Sequence, residues 1–355
     1  MRYSAFSLWA ALFLSLCAGG AQNAFSADAP TAPRTTQQDA AFELVSEAGR
    51  AYRARDYQLT IEKCTAAIAT SPETSRAWSL RGDAYSAMNQ TERALADYNQ
   101  AIKADPKSVM ALNGRGSIYV GQGKANEAIA DFNAAIALDP LFESLYVNRG
   151  NALADAGRNE LALADFDKAI ELDPRNAVPY YNRANVHNAM GKRKEAIADY
   201  TMALKINHNL VQAYNDRGNA YADAGENDKA IADYSAAITA DPKYAQPYNG
   251  RGGLYTDLGK QEEALADLNK AIELDPKDAS FYFNRGKVYF ALNKLDLALA
   301  DFNKAIMLDP KLAAAYRGRG FVYRKMGDEA NAKKDLEIEA DLRARAKALG
   351  VEGVR

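Results

Sequence analysis

VQAYNDRGNAYADAGENDKAIADYSAAITADPKY, residues 211–244, divides into two apolar-patterned helices. The first carries Tyr214, Arg217, Gly218 and Tyr221 and stops at Gly225. The second carries Ala230, Asp233, Tyr234 and Ala237 and stops at the Asp241-Pro242 pair. Shifting the sequence by 34 residues in either direction reproduces this pattern without insertions. A fixed period of this length marks a stack of repeated supersecondary units, none of which can bury its apolar face alone.

The register holds at three slots. Arginine recurs at Arg81, Arg115, Arg149, Arg183, Arg217, Arg251, Arg285 and Arg319. Proline recurs at Pro72, Pro106, Pro140, Pro174, Pro242, Pro276 and Pro310, with His208 in the vacant position. The mid-repeat turn holds Asn89, Gly123, Gly157, Gly191, Gly225, Gly259, Asn293 and Gly327, residues that tolerate the left-handed conformation closing a helix. Proline after the second helix cannot continue it. Each unit is therefore a helix-turn-helix with a stop at both ends.

At these residues the chain resembles the tetratricopeptide-repeat family, whose signature is W-x2-L-G-x2-Y, then A-x3-F, then P. Trp78, Gly82, Tyr85, Ala94, Tyr98 and Pro106 fill those slots in one repeat, and Tyr282, Gly286, Tyr289, Ala298, Phe302 and Pro310 in another. Arginine stands where the family often has leucine. The resemblance implies an all-α fold, a right-handed α-solenoid of about nine 34-residue hairpins with a charged C-terminal capping helix. It also implies that the first helices line the concave surface.

Around this array the chain divides further. Residues 1–21 have the pattern of a signal peptide: Arg2, an apolar run from Ala5 to Ala18 too short for a membrane span, and Gly19-x-Ala21 as the cleavage site. Cys17 in a lipoprotein-like setting, or an uncleaved anchor, are the competing expectations for this end. Residues 22–40, rich in Ala, Pro, Thr and Gln, are expected to be a flexible tether. Residues 41–74 form a degenerate first repeat in which Arg55 replaces the turn glycine. Residues 75–346 hold the eight repeats, including an atypical last one and its charged cap, and 347–355 are a tail. Localisation is expected to be periplasmic or secreted, in a bacterial cell.

Charge and cysteine content narrow the function. Formal net charge is −2. A near-neutral, slightly acidic chain argues against nucleic acid as the main partner. Beyond Cys17, only Cys64 is available, and it is expected to be a buried core thiol. His187 occupies a tyrosine slot and His208 a proline slot, with no metal-ligand spacing between them. Gly114-Arg115-Gly116, Gly250-Arg251-Gly252 and Gly318-Arg319-Gly320 lack the strand–loop–helix context of a phosphate loop. No cofactor or catalytic motif is present, so the expected function is non-catalytic.

Three sets of polar or aromatic residues remain. Each arginine is followed 16 residues later by an aspartate: Asp97, Asp131, Asp165, Asp199, Asp233, Asp267, Asp301 and Asp335. These sets would sit level on antiparallel helices as a structural ion-pair ladder, with the choice between same-repeat and next-repeat partners left open. On the first helices, Asn113, Asn148, Asn151, Asn182, Asn185, Asn215, Asn219 and Asn249 form a stripe. Such amides can grip the backbone of an extended peptide, as in some relatives. Asp155, Asp223 and Asp257 lie farther along the same helices. In the last two repeats Phe283, Phe290 and Phe321 stand among Lys287, Arg317, Arg324 and Lys325, a patch suited to a peptide with an apolar anchor and a carboxylate. The expected function is an exported protein- or peptide-binding scaffold. The alternative is a substrate-presenting or assembly subunit of an envelope enzyme complex that handles polysaccharide or peptidoglycan. A membrane is expected as a partner only if the N-terminal segment is retained or lipidated.

Overall fold

A computed structural model describes residues 35–348. The expected signal peptide, most of the tether and most of the tail lie outside the described residues. Within them the regular elements are eighteen helices, and none is long and apolar enough to cross a membrane. The chain forms two compact units, one ending at Val186 and the other starting at His187. The first carries α1 (Thr36–Arg53), α2 (Tyr57–Thr70), α3 (Ser75–Ala87), α4 (Thr91–Ala104), α5 (Val109–Gly121), α6 (Ala125–Leu138), α7 (Glu143–Asp155) and α8 (Asn159–Leu172). The division falls inside α9 (Ala177–Ala189). The second carries α10 (Arg193–Ile206), α11 (Val211–Asp223), α12 (Asn227–Ala240), α13 (Ala245–Asp257), α14 (Gln261–Leu274), α15 (Ala279–Ala291), α16 (Leu295–Leu308), α17 (Ala313–Lys325) and α18 (Glu329–Ala348).

The turns follow from the residues placed there. At the end of α11 Gly225 adopts φ +76°, its amide donates to the Ala222 carbonyl at 3.0 Å, and Glu226 donates to the Tyr221 carbonyl at 2.9 Å. Those bonds satisfy carbonyls that the helix end leaves open. Arg55 holds the same conformation in the first repeat at φ +61°, which costs a residue with a Cβ about 1–2 kcal/mol. Between repeats, Asp105 is extended (φ −141°, ψ 101°) ahead of Pro106, and its Oδ1 accepts from the Lys107 amide at 2.9 Å. Where His208 replaces proline the turn is unchanged. There Asn207 is extended and its Oδ1 accepts from the Asn209 amide at 3.0 Å. The short polar side chain, rather than the proline ring, is common to both turns.

The first helix begins earlier than expected. Thr35 and Gln38 form a capping box, each side chain bonded to the other's backbone amide (3.3 and 2.9 Å). The stretch expected to be tether is therefore helical from Thr36.

The second helices α4, α6, α8, α10, α12, α14 and α16 each bury one large side chain at the same slot: Tyr98, Phe132, Phe166, Tyr200, Tyr234, Leu268 and Phe302. Tyr98 lies between Gly82 and Gly114: a Cβ at those positions would stand 2.8 and 2.4 Å from its ring. Phe302 lies between Gly286 and Gly318 in the same way, at 2.9 and 2.7 Å. Among the glycines flanking the arginines, which superficially suggest a phosphate loop, Gly114, Gly116, Gly250 and Gly318 are helical positions kept empty for an aromatic ring and Gly252 for Leu268. Successive helices pack in sequence within each unit, and first helices of neighbouring repeats also touch, as α5 with α7 and α15 with α17. Cys64 is buried in the first-repeat core, where burial pushes its thiol up to about 12.

Candidate binding face on the first helices

The arginines pair within their own repeats. Arg81–Asp97, Arg115–Asp131, Arg149–Asp165, Arg217–Asp233, Arg251–Asp267, Arg285–Asp301 and Arg319–Asp335 are all bidentate. In each, Nε donates to Oδ2 and Nη2 to Oδ1 over 2.6–2.9 Å. Arg183 and Asp199 fall on opposite sides of the division between the units. The hydrogen bonds to Asp165 hold the Arg149 guanidinium above its usual pKa against the opposing effect of partial burial.

The remaining nitrogen has a use that the sequence did not suggest. Arg Nη1 donates to the second helix of the preceding repeat, two residues past that repeat's aspartate slot (occupied by Lys63 in the first repeat). The acceptors are Thr65, Asn99, Asn133, Asp167, Thr201, Ser235, Asn269 and Asn303. Tyrosine rings flank the guanidinium, as Tyr282 and Tyr289 do for Arg285, both at 5.7 Å. Each of the seven arginines paired in its own repeat thus joins its own second helix to the one before it.

The asparagine stripe is partly buried. Asn151, Asn182 and Asn215, expected to line the binding face, are only 2%, 5% and 6% exposed. Asn182 Nδ2 donates to Asn151 Oδ1 at 2.9 Å, and Asn215 Nδ2 donates to Asp216 Oδ1 at 3.1 Å. These amides are therefore committed within the protein. Asn113, Asn148, Asn185 and Asn249 are half-buried and Asn219 is exposed. Asn148 Nδ2 donates to Asn113 Oδ1 at 2.9 Å, and Asn284, which the stripe did not include, donates to Asn249 Oδ1 at 2.8 Å. In all three amide–amide bonds the later repeat is the donor. The bonds align amides of adjacent first helices while leaving each half-buried amide with further hydrogen-bonding capacity.

The C-terminal patch also changes. Phe283 and Phe290, expected on the exposed face, pack against the core around Phe302. The Phe283 and Phe302 ring centroids are 6.0 Å apart. A phenyl ring at these slots folds into the groove between helices, removing apolar area from water. Phe321 alone of the three stays out, 42% exposed. Lys287 pairs with Asp257 at 3.4 Å, Arg324 with Glu329 at 3.8 Å, and Lys325 lies 5.1 Å from the Phe290 ring centre.

With this geometry the family is clear from sequence as well. Repeat models described as "TPR repeat" match residues 150–191, 218–256, 252–293 and 286–327; those described as "Tetratricopeptide repeat" match 79–141 and 177–210. The chain belongs to the tetratricopeptide-repeat family. Its repeats share their fold with the APC/C hetero-tetramer Cut9–Hcn1, at 16% identity over 87% of this chain and 61% of that chain, TM-score 0.57. They share it too with PilF of Pseudomonas aeruginosa, at 19% identity over 59% of this chain and 96% of that chain, TM-score 0.53. YrrB, a tetratricopeptide-repeat protein with an unusual peptide-binding site, is 27% identical over 52% of this chain and 95% of that chain, TM-score 0.43. No curated protein sequence matches the chain significantly.

Second-helix tyrosine hydroxyls also reach the first-helix face. Tyr98 donates to Asp83 and Tyr234 to Asn219, both at 2.7 Å. Burial pushes the Asp83 carboxyl up to about 6 despite the opposing hydrogen bond from Tyr98. A carboxyl raised in the folded state stabilises most below its unfolded pKa of about 4, and that contribution is lost as pH rises through the folded value. Asp83→Asn keeps the tyrosine bond, as Asn219 does, and removes the charge. It is expected to add about 1 kcal/mol at pH 7, a value reduced for partial exposure, and to add nothing at pH 4. Denaturant titrations at the two pH values test this; an equal gain at both would exclude the carboxyl as its source.

Proposed function

We propose that the chain is a non-catalytic scaffold of the cell envelope that holds an extended peptide or protein segment against its first-helix face. The observation that carries the reading is a pair of aligned amides in each unit, Asn113–Asn148 in the first and Asn249–Asn284 in the second. Held by one another before any ligand arrives, these side chains have little rotamer freedom left to lose on binding. Their remaining donors and acceptors match the backbone of an extended chain, which presents both. The placement in the envelope rests on the signal-like pattern of residues 1–21.

The test is capture from an envelope extract, comparing the parent protein with an Asn113→Ala, Asn148→Ala, Asn249→Ala variant of unchanged melting temperature. A partner captured by the parent and lost from the variant is the expected result. Equal capture by both would remove the amides from the binding site. An enzyme captured together with its substrate would favour the substrate-presenting role.

A further inference from the structure

The first helices of the second unit change chemistry along their stack. At one pair of register positions, four residues apart on each helix, stand Asn215 and Asn219 on α11, then Asn249 and Gly253 on α13. The same positions hold Phe283 and Lys287 on α15, then Arg317 and Phe321 on α17. Residues so spaced share a helix face, and α11 with α13, α13 with α15 and α15 with α17 are in contact. The face therefore runs from amides to aromatics and cations.

Charge changes in the same direction. Asp216, Asp223 and Asp257 lie on α11 and α13. Lys287, Arg317, Arg324 and Lys325 lie on α15 and α17, and the acids paired with them are Asp257 and Glu329, at 3.4 and 3.8 Å. Four cations against two acids leave an excess of two positive charges, since Arg319 is neutralised by Asp335. Arg317 forms no ion pair or hydrogen bond among the described residues. One turn away on its helix, Phe321 is 42% exposed at a slot that carries Asp83, Asn219 or Lys287 in other repeats. Phe283 has withdrawn onto Phe302, so the outward aromatic at this end is Phe321. Gly253, at the same register position two repeats earlier, adds room: a Cβ there would meet only Asn284 Nδ2, at 3.8 Å.

We infer that the α15–α17 end of the face is a specificity subsite for an acidic peptide segment, an apolar side chain resting on Phe321 and a flanking carboxylate paired with Arg317. This rests on the reading of the first-helix face as a peptide-binding surface and adds the peptide's chemistry to it. A carboxylate meeting Arg317 gains a planar, bidentate partner. At the α11–α13 end Asp223 is paired with Arg193 and Asp257 with Lys287, leaving no excess of cations there, so the ligand is directed to the α15–α17 end and given a register.

The probe is a fluorescein-labelled decapeptide, acetylated and C-amidated so that only side-chain carboxylates count, with a central phenylalanine between pairs of glutamates. A second probe replaces the glutamates with glutamine. Fluorescence anisotropy is expected to show the acidic probe binding about tenfold tighter, with the difference shrinking between about 50 and about 300 mM salt. Arg317→Gln is expected to abolish that difference, and Phe321→Ser to weaken both probes about fivefold. Lys205→Gln, which removes an exposed cation from a second helix, should change neither. Both test positions are solvent-accessible; if Phe321→Ser nevertheless lowers helicity, Arg317→Gln decides alone. Equal binding of the two probes, weakened in the asparagine variant, would overturn the subsite and keep the amide grip. Selectivity surviving Arg317→Gln would place the cation elsewhere and overturn the subsite. Absence of binding by either probe would overturn both readings.

Discussion

Asp165→Ala is expected to lower stability by about 3 kcal/mol, because it leaves the mostly covered Arg149 guanidinium without its counter-charge. Both oxygens of Asp165 are used, at 2.8 and 2.6 Å, and its side chain is almost fully buried. Arg149→Ala should cost a similar amount by stranding the carboxylate and releasing Asn133, the third partner, from its 2.7 Å bond. Buried ion pairs are costly to break from one side and cheap to replace whole. The double variant Arg149→Met, Asp165→Leu should therefore lose less than either single change. Thermal melting of the parent, Arg149→Met, Asp165→Leu and the double variant gives the coupling energy. Additive losses would mean that the pair contributes no coupling and that the slot is conserved in register for another reason.

Gly250→Val is expected to cost about 2 to 3 kcal/mol through overpacking. The Tyr234 ring is held from both sides: an added Cβ would stand 2.7 Å from it at Gly250 and 2.9 Å at Gly218. With its hydroxyl also bonded to Asn219, the ring has nowhere to move. The next repeat contains the compensating combination, Leu268 beneath Asn284 where this one has Tyr234 beneath Gly250. Tyr234→Leu with Gly250→Asn should accordingly be tolerated far better than Gly250→Val. A melting temperature unchanged by valine would rule out the wedged ring as the reason for glycine.

The fold was legible because a repeated sequence states its turns and its core many times over. Gly225 and Pro242 each mark a helix end without reference to anything distant, and the arginine–aspartate spacing set the two residues level while leaving the partner repeat to the structure. The binding face was less legible, because exposure at a slot is decided by the next repeat. Asn151 and Asn219 occupy the same register position, yet one is buried and the other exposed. Asn182 lies over the first and bonds to it; Gly250, at the corresponding position over the second, has no side chain to do so. Residue type and period do not contain that information; the neighbour 31 residues away does. The Phe283 position fails for a related reason, since a half-apolar groove accepts a ring that a strictly polar one would leave outside. The helical start at Thr36 was missed although Thr35-x-x-Gln38 is itself a capping pattern. The alanine- and proline-rich composition around it outweighed that local signal.

The third arginine bond has a consequence for how such a chain can change length. Every junction presents the same donor to a hydroxyl, amide or carboxylate at the same offset, so repeats behave as interchangeable cassettes. Excising residues 211–244 would remove Ser235 as the acceptor for Arg251 and bring Thr201 into its place, one hydroxyl for another. Whole repeats can therefore be added or removed without losing this bond at any junction.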